Sequence, residues 1–203
     1  AAAERARQQH AAPSPATSAV VAIDPSTGAV RSLVSAEGPE SRFDLVTQGQ
    51  RQPGSAFKVV VLAAALEQGY VLDDRIDGGG PCTFANPGGA PDPYVVGGSG
   101  GWATLTTQTV RSSNCAFLRL GEVVGGDDVV AVARRLGVTA PLDADAISMP
   151  LGTYEVRPLE MASIAATIAA GGVRRAPYLV EEVLRRDGST VLAHRPGGRR
   201  VLD

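Results

Sequence analysis

The sequence predicts an α+β fold, and three observations carry the prediction. Each end of the chain reads as a strand–turn–strand hairpin, at 18–35 and 178–195. Between them, 55–170 carries apolar patterns of helical length separated by Gly, Pro and Ser breaks. No segment recurs at a fixed period, which sets aside repeat architectures. Strands gathered apart from the helices, rather than alternating with them, are the α+β arrangement.

Composition narrows the class further. A chain of 203 residues is long enough for one domain with a substantial core. Apolar content of 44% and charged content of 20% are ordinary for a globular protein and exclude global disorder. A net charge of −2 without a block of like charges gives no footprint for nucleic acid or an anionic membrane surface. The longest apolar run, 59–66, falls far short of the ~20 residues a membrane-spanning helix needs. Residues 1–10 carry Glu4, Arg5, Arg7 and His10 without an apolar core, so they read as a short helical tail rather than a signal peptide. Pro13 and Pro15 make 11–17 a linker. The expected division is therefore tail and linker at 1–17, and the folded domain at 18–203.

The elements follow in order. Residues 18–24 form a strand apolar on both alternating sets, hence expected to be covered on both faces. Pro25-Ser26-Thr27-Gly28 turns the chain, and 29–35 returns. A polar, irregular stretch leads into Gln52-Pro53-Gly54-Ser55-Ala56-Phe57-Lys58. Pro53 and Gly54 break the chain, so a helix is expected from Ser55 to about Gln68, closed by Gly69. The Gly/Pro-rich 73–101 is too long for a plain connector. Thr104 caps a helix through about Arg111, Ser112-Ser113-Asn114 interrupts, and 116–124 and 127–136 are two further helices. After a loop at 141–157, Pro158 opens a helix to about 170, with Glu160 suited to its positive end. The closing hairpin turns at Asp187-Gly188, and 196–203 reads as a polar tail.

Ser55 and Lys58 are the first candidates for chemistry. Eighteen of the nineteen basic residues are Arg, and Lys58 is the single Lys. Arg keeps its proton, whereas a partly buried Lys can lose one and act as a base. A spacing of three on a helix brings the amine over the face of the hydroxyl it would activate. The plainer reading is a capping Ser beside a surface Lys. Ser112-Ser113-Asn114 likewise offers a hydroxyl and an amide, or simply a capping turn. Other patterns yield less. Gly78-Gly79-Gly80 and the 97–101 glycines lack the Gly-Lys-Ser/Thr of a phosphate loop. Asp143 and Asp145 read as a solvated loop, and no Ser or Asp frames His194 for a triad. Cys82, Cys115, His10 and His194 lack zinc-ligand spacing, so no metal is expected. Two cysteines are compatible with one bridge outside the cytosol.

Taken together, the motifs resemble the transpeptidase domain of penicillin-binding proteins, most closely the bifunctional high-molecular-mass class. The hairpin with its Ile23-Asp24-Pro25-Ser26-Thr27-Gly28 turn, the 52–58 block, Ser112-x-Asn114 followed by Ala116-Phe117, Leu151-Gly152-Thr153 with Val156, 158–162, and Gly171-Gly172 match in order and spacing. The resemblance covers nearly the whole chain. It implies a serine β-lactamase/transpeptidase-like fold, an antiparallel sheet plus a helical subdomain. It also implies Ser55 as the acylated nucleophile, Lys58 as its base and Ser112 as proton relay. Asn114 would hold a substrate amide and orient Lys58. The implied partners are D-Ala-D-Ala stem peptides of peptidoglycan and β-lactams. No cofactor is implied. The implied location is the outer face of the cytoplasmic membrane, with membrane attachment only through an upstream anchor. Such export permits a Cys82–Cys115 bridge pinning the Gly-rich loop beside Asn114, the alternative being two inert thiols.

Two departures stand out. The family's third motif, Lys-Thr/Ser-Gly, does not occur, and with it the C-terminal part of the sheet is expected to be missing. Its absence favours a β-lactam-binding or scaffold fragment without turnover as the alternative to a transpeptidase. D,D-carboxypeptidase or β-lactamase-like hydrolysis is the alternative among enzymes. Arg157 stands where the family often has a Thr helix cap, an expected cost of about 0.5–2 kcal/mol if nothing replaces it.

Overall fold

The computed structural model describes residues 18–35, 42–98, 100–195 and 197–203. The tail and linker expected at 1–17 lie outside the described residues. In chain order the elements are β1 (Ala19–Ile23), β2 (Val30–Ser35), a 3-10 turn at Gly54–Phe57, α1 (Lys58–Glu67), β3 (Arg75–Asp77), β4 (Cys82–Phe84), β5 (Tyr94–Val96) and β6 (Trp102–Thr104). Then come α2 (Leu105–Val110), α3 (Asn114–Val124), α4 (Gly126–Leu136), a 3-10 turn at Met149–Leu151, α5 (Pro158–Ala169), β7 (Val173–Arg174), β8 (Glu182–Leu184), β9 (Thr190–Ala193) and β10 (Arg199–Arg200). The mix is α+β. The strands form two-stranded antiparallel pairs: β1–β2, β3–β6, β4–β5, β7–β10 and β8–β9. The chain separates into two compact units, one of residues up to Arg51 with Val156–Asp203, the other Gln52–Glu155.

In the first unit β1 and β2 pair from Ala19↔Ser35 to Ile23↔Val30. Their turn is held by Asp24, whose carboxylate accepts from the N–H and hydroxyl of Ser26 and from Arg31 Nη2 at 3.0 Å. These bonds hold Asp24 well below the usual carboxylate range. Helix α5 packs against β1. The expectation that β1 is covered on both faces is corrected: Ala19, Val21 and Ile23 are half-buried, but Val20 and Ala22 are exposed. Apolar character on both sets reports what a strand tolerates, not what covers it.

Arg157 does not leave α5 uncapped. The Glu160 carboxylate reaches back to accept the Arg157 N–H at 2.9 Å, half of a capping box, and pairs with its guanidinium at 3.3 Å. Of the polar tail expected at 196–203, the described residues 197–203 are structured in part. β10 pairs with β7, and the buried Val201 donates its N–H to Gly172 O at 2.9 Å.

The second unit is built on α1, α3 and α4. Helix α1, buried through Val60, Val61, Ala64 and Ala65, packs on α3, buried through Phe117, Leu118 and Leu120, and on α4, buried through Val129, Val132, Ala133 and Leu136. The α4 set recurs at i, i+3, i+4 and i+7, one apolar stripe. Asp127 and Asp128 lie in its first turn and Arg134 and Arg135 in its last, each sign at the helix end it stabilises. Three departures from expectation bear on the site. The α-helix begins at Lys58 rather than Ser55, because the 54–57 turn is wound tighter as a 3-10 turn behind Gly54 at φ +55°. Helix α3 begins at Asn114 rather than 116, because Ser113 is extended and its Oγ accepts the Ala116 N–H at 3.3 Å. The 73–101 region holds three strands of three residues each.

Candidate active site

Lys58 is the centre of the second unit's polar chemistry. It opens α1 with a side chain only 3% exposed, although α1 is otherwise apolar on its buried side. Its Nζ donates to the backbone oxygen of Ser112 at 2.7 Å and to Asn114 Oδ1 at 2.7 Å, and lies 3.2 Å from Ser112 Oγ. The Phe117 ring closes the remaining side, its centroid 5.5 Å away. Burial lowers the Lys58 pKa below its ordinary value. The chemistry of the partners matters here. Two of them, a carbonyl and an amide oxygen, only accept, so a neutral amine uses both its N–H groups on them. Its lone pair is then left for a hydroxyl.

Ser55 sits in the 3-10 turn one helical step before Lys58 and is exposed. The Lys58 N–H donates to its backbone oxygen. Among the described residues Ser55 Oγ has no hydrogen-bond partner, which leaves it available to a ligand. The turn is fixed from behind: Gly54 N–H donates to Gly152 O at 3.0 Å. A Cβ on Gly152, at φ +72°, would fall 2.2 Å from Gly54 O. Only glycine allows this approach.

Ser112, on the turn between α2 and α3, and Asn114, the first residue of α3, arrive together. Ser112 takes φ +52°, the left-handed region a non-glycine residue rarely occupies. That conformation turns its carbonyl onto Lys58 while its exposed hydroxyl stays at the same amine. Buried Gln108 supports the turn, accepting the Ser113 N–H on its backbone oxygen at 3.0 Å. Its Nε2 donates to Ile76 O and Gly101 O at 3.0 and 2.8 Å. A disulfide joins Cys82 to Cys115, the residue after Asn114, and packs with Phe84 and Leu118.

The structure thus brings Ser112, Asn114 and Lys58 into direct contact, with Ser55 adjoining along the chain. Sequence reasoning missed Gln108 and Arg119, and named Phe117 and Gly152 as motif positions without their roles. A polar residue three after buried Leu105, on the core side of α2, is the signal that marks Gln108. Arg119 on α3 left no such trace; its partners are the backbone oxygens of Asp77 and Gly79 and the Asp77 carboxylate. Among the described residues no group of three or more acidic, His or Cys side chains is placed to hold a metal ion. No helix among them is long and apolar enough to cross a membrane.

Residues 18–200 match the family described as penicillin binding protein transpeptidase domain. Penicillin-binding protein 1A of Neisseria meningitidis serogroup A is 32% identical over 177 residues, 84% of this chain and 22% of that protein. Its namesake in Pseudomonas aeruginosa is 28% identical over 190 residues, 89% of this chain and 22% of that protein. The penicillin-binding protein PonA1 from Mycobacterium tuberculosis superposes with a TM-score of 0.83 at 27% identity, covering 99% of this chain and 56% of that one. Penicillin-binding protein A from the same organism, solved as a penicillin G acyl-enzyme complex, superposes with a TM-score of 0.81 at 26% identity, covering 99% of this chain and 57% of that one. The chain spans about a fifth of the length of these curated relatives.

Proposed function

The chain belongs to the penicillin-binding protein transpeptidase family, and from that premise we propose that it forms a serine acyl-enzyme with D-Ala-D-Ala stem peptides in peptidoglycan crosslinking. The observation that carries the reading is the buried Lys58 amine held by Ser112 and Asn114, beside an exposed Ser55.

Neutral Lys58 takes the proton of Ser55 Oγ, and the oxygen bonds to the penultimate D-Ala carbonyl carbon. The Ser55 N–H is one arm of the oxyanion hole. The bond to the terminal D-Ala nitrogen then breaks. Its proton comes from Lys58 through Ser112 Oγ, which lies 3.2 Å from Nζ. An acceptor amine attacks the ester, its proton returns along the same path, and Ser55 regains its hydrogen. Asn114, donating through its amide, holds the stem peptide while its Oδ1 orients Lys58. A β-lactam enters the same first half-reaction, as the penicillin G complex of the related penicillin-binding protein A illustrates. The setting is the outer face of the cytoplasmic membrane, with the parent protein anchored by segments outside this chain.

A second reading rests on a specific observation: with Lys58 as the single Lys, the sequence holds no Lys-Thr/Ser-Gly. That motif supplies the other oxyanion donor, and losing one such donor costs about 10²–10³ in rate. For these 203 residues the second reading is a β-lactam-binding fragment or scaffold that does not turn over. D,D-carboxypeptidase or β-lactamase-like hydrolysis would differ only in water replacing the amine.

Fluorescent penicillin tests the acylation, and D-Ala release from a D-Ala-D-Ala peptide with and without an acceptor amine separates the readings. Covalent labelling lost in Ser55→Ala supports the acyl-enzyme. A folded chain that stays unlabelled overturns it, and labelling without D-Ala release favours the fragment without turnover.

A further inference from the structure

The backbone of 76–79 is bound to the catalytic turn in a way the acylation chemistry does not itself require. Four consecutive carbonyls there each accept from a side chain of 108–119. Gln108 Nε2 takes Ile76 O at 3.0 Å and Ser113 Oγ reaches Gly78 O at 3.5 Å. Arg119 Nη1 takes both Asp77 O at 2.6 Å and Gly79 O at 3.1 Å. The Asp77 carboxylate completes the unit, pairing with Arg119 Nη1 at 3.1 Å and accepting the Gly79 N–H at 2.8 Å. Two residues beyond Gly80, Cys82 is bonded to Cys115. A Cβ on Gly78 would lie 2.5 Å from Gln108 Oε1 and 2.7 Å from Ser113 Oγ, so the strap lies tight against them.

The stretch that holds this strap is the one that carries Ser112 and Asn114. Ser112 at φ +52° is a strained residue, and a strained residue persists only where its surroundings over-determine it. The Lys58 amine holds Ser112 directly, and the strap holds the neighbouring Ser113 and, through Arg119, helix α3. We propose that Arg119 is a positioning residue: by clamping the 77–79 backbone to α3 it holds the Ser112–Asn114 turn against Lys58 and keeps that amine dry. The proposal deepens the acyl-enzyme reading and rests on it for its catalytic meaning.

The groups facing Lys58 fix the sign of the effect. At Nζ stand Ser112 O, Ser112 Oγ, Asn114 Oδ1 and the Phe117 ring, none of them charged. The elements packed on α1 carry Arg119 and Glu122 on α3, and Asp127, Asp128, Arg134 and Arg135 on α4. Arg119 pairs with Asp77; Asp128 and Arg135 engage Gln68 and Glu67 at the far end of α1. Glu122, Asp127 and Arg134 are exposed. What holds the amine below its ordinary value is therefore burial. When the clamp is removed, water replaces the departing acceptors and the desolvation is relieved, so proton affinity rises.

Because Lys58 is the single Lys, protein labelled with ¹³C-lysine reports its titration without ambiguity. In wild type the midpoint falls below 10.5. In Arg119→Ala it moves up toward the ordinary lysine value as burial is relieved, and the pH profile of fluorescent-penicillin acylation moves with it. A merely structural role would lower the melting temperature and leave the midpoint in place. A folded Arg119→Ala with an unchanged midpoint overturns the proposal. Should that variant not fold, Asp77→Asn weakens the same clamp and keeps an acceptor for the Gly79 N–H; an unchanged midpoint there overturns it equally. A shifted midpoint in a protein that penicillin never labels would sink the acyl-enzyme reading and leave the positioning role standing.

Discussion

Replacing Gly152 with Ala tests how the nucleophile's turn is built. The added Cβ falls 2.2 Å from Gly54 O and 2.9 Å from Gly54 C and N. These are backbone atoms, so no side chain can swing aside; a normal contact demands that the Gly54 peptide retreat by roughly 1 Å. The φ of +72° adds its own strain, about 1–2 kcal/mol for an L residue in the left-handed region. Overpacking adds about 1–3 kcal/mol, for a combined cost of about 2–5 kcal/mol. Ser55 follows Gly54 directly, and a 1 Å misplacement of a reacting group can cost about 10²-fold in rate. Thermal melts and the rate of fluorescent-penicillin labelling read the two effects. The melt should fall by roughly 4–20 °C, and folded protein should label about 100-fold more slowly. Gly69→Ala is the control, since Gly69 has φ +93° but no atom within 4 Å of a Cβ. It should cost about 1–2 kcal/mol and leave labelling unchanged. If Gly152→Ala matches this control in both measurements, the Gly54–Gly152 contact does not position Ser55.

Three further outcomes follow. Lys58→Arg keeps the charge and removes the base, because guanidinium does not give up a proton; labelling with fluorescent penicillin should slow by about 10²–10⁴-fold. Burial places the folded Lys58 value below 10.5, so between that value and 10.5 the unfolded chain binds more protons and stability rises with pH. Urea unfolding across that range should show the rise, and Lys58→Met should flatten it. Thr104 Oγ1 accepts the Thr107 N–H at 3.1 Å at the start of α2; Thr104→Ala should lower stability by about 0.5–2 kcal/mol, read as a lower urea midpoint at constant slope.

Several elements were legible because punctuation and period agreed. Thr104 does cap α2, Gly137 closes α4 at φ +109°, and Pro158 opens α5. The hairpin strands β1 and β2 fall where Pro25 and Gly28 place them. Other features are illegible for physical reasons. The strands β3 to β5 have three residues each, too few for an alternating pattern to emerge from a Gly/Pro-rich background. The 3-10 winding at Ser55 depends on Gly152 pressing from nearly a hundred residues away. In the site, Ser55, Lys58, Ser112 and Asn114 stood out because their side chains are unusual for their places. Arg119 and Gln108 did not, because they hold backbone oxygens, and a carbonyl at Ile76 or Gly79 leaves no mark in the amino-acid code. The start of α3 is ambiguous in the sequence because two serines precede Asn114, and only the extended backbone of Ser113 shows which one caps.

The proposed acyl-enzyme is a covalent bond at one oxygen. Wild-type protein exposed to penicillin G and digested should yield one modified peptide, with the penicilloyl group on Ser55, and Ser55→Ala should yield none. A folded wild-type chain that remains unmodified, or that carries the group on Ser112 or another residue, would rule out Ser55 as the nucleophile.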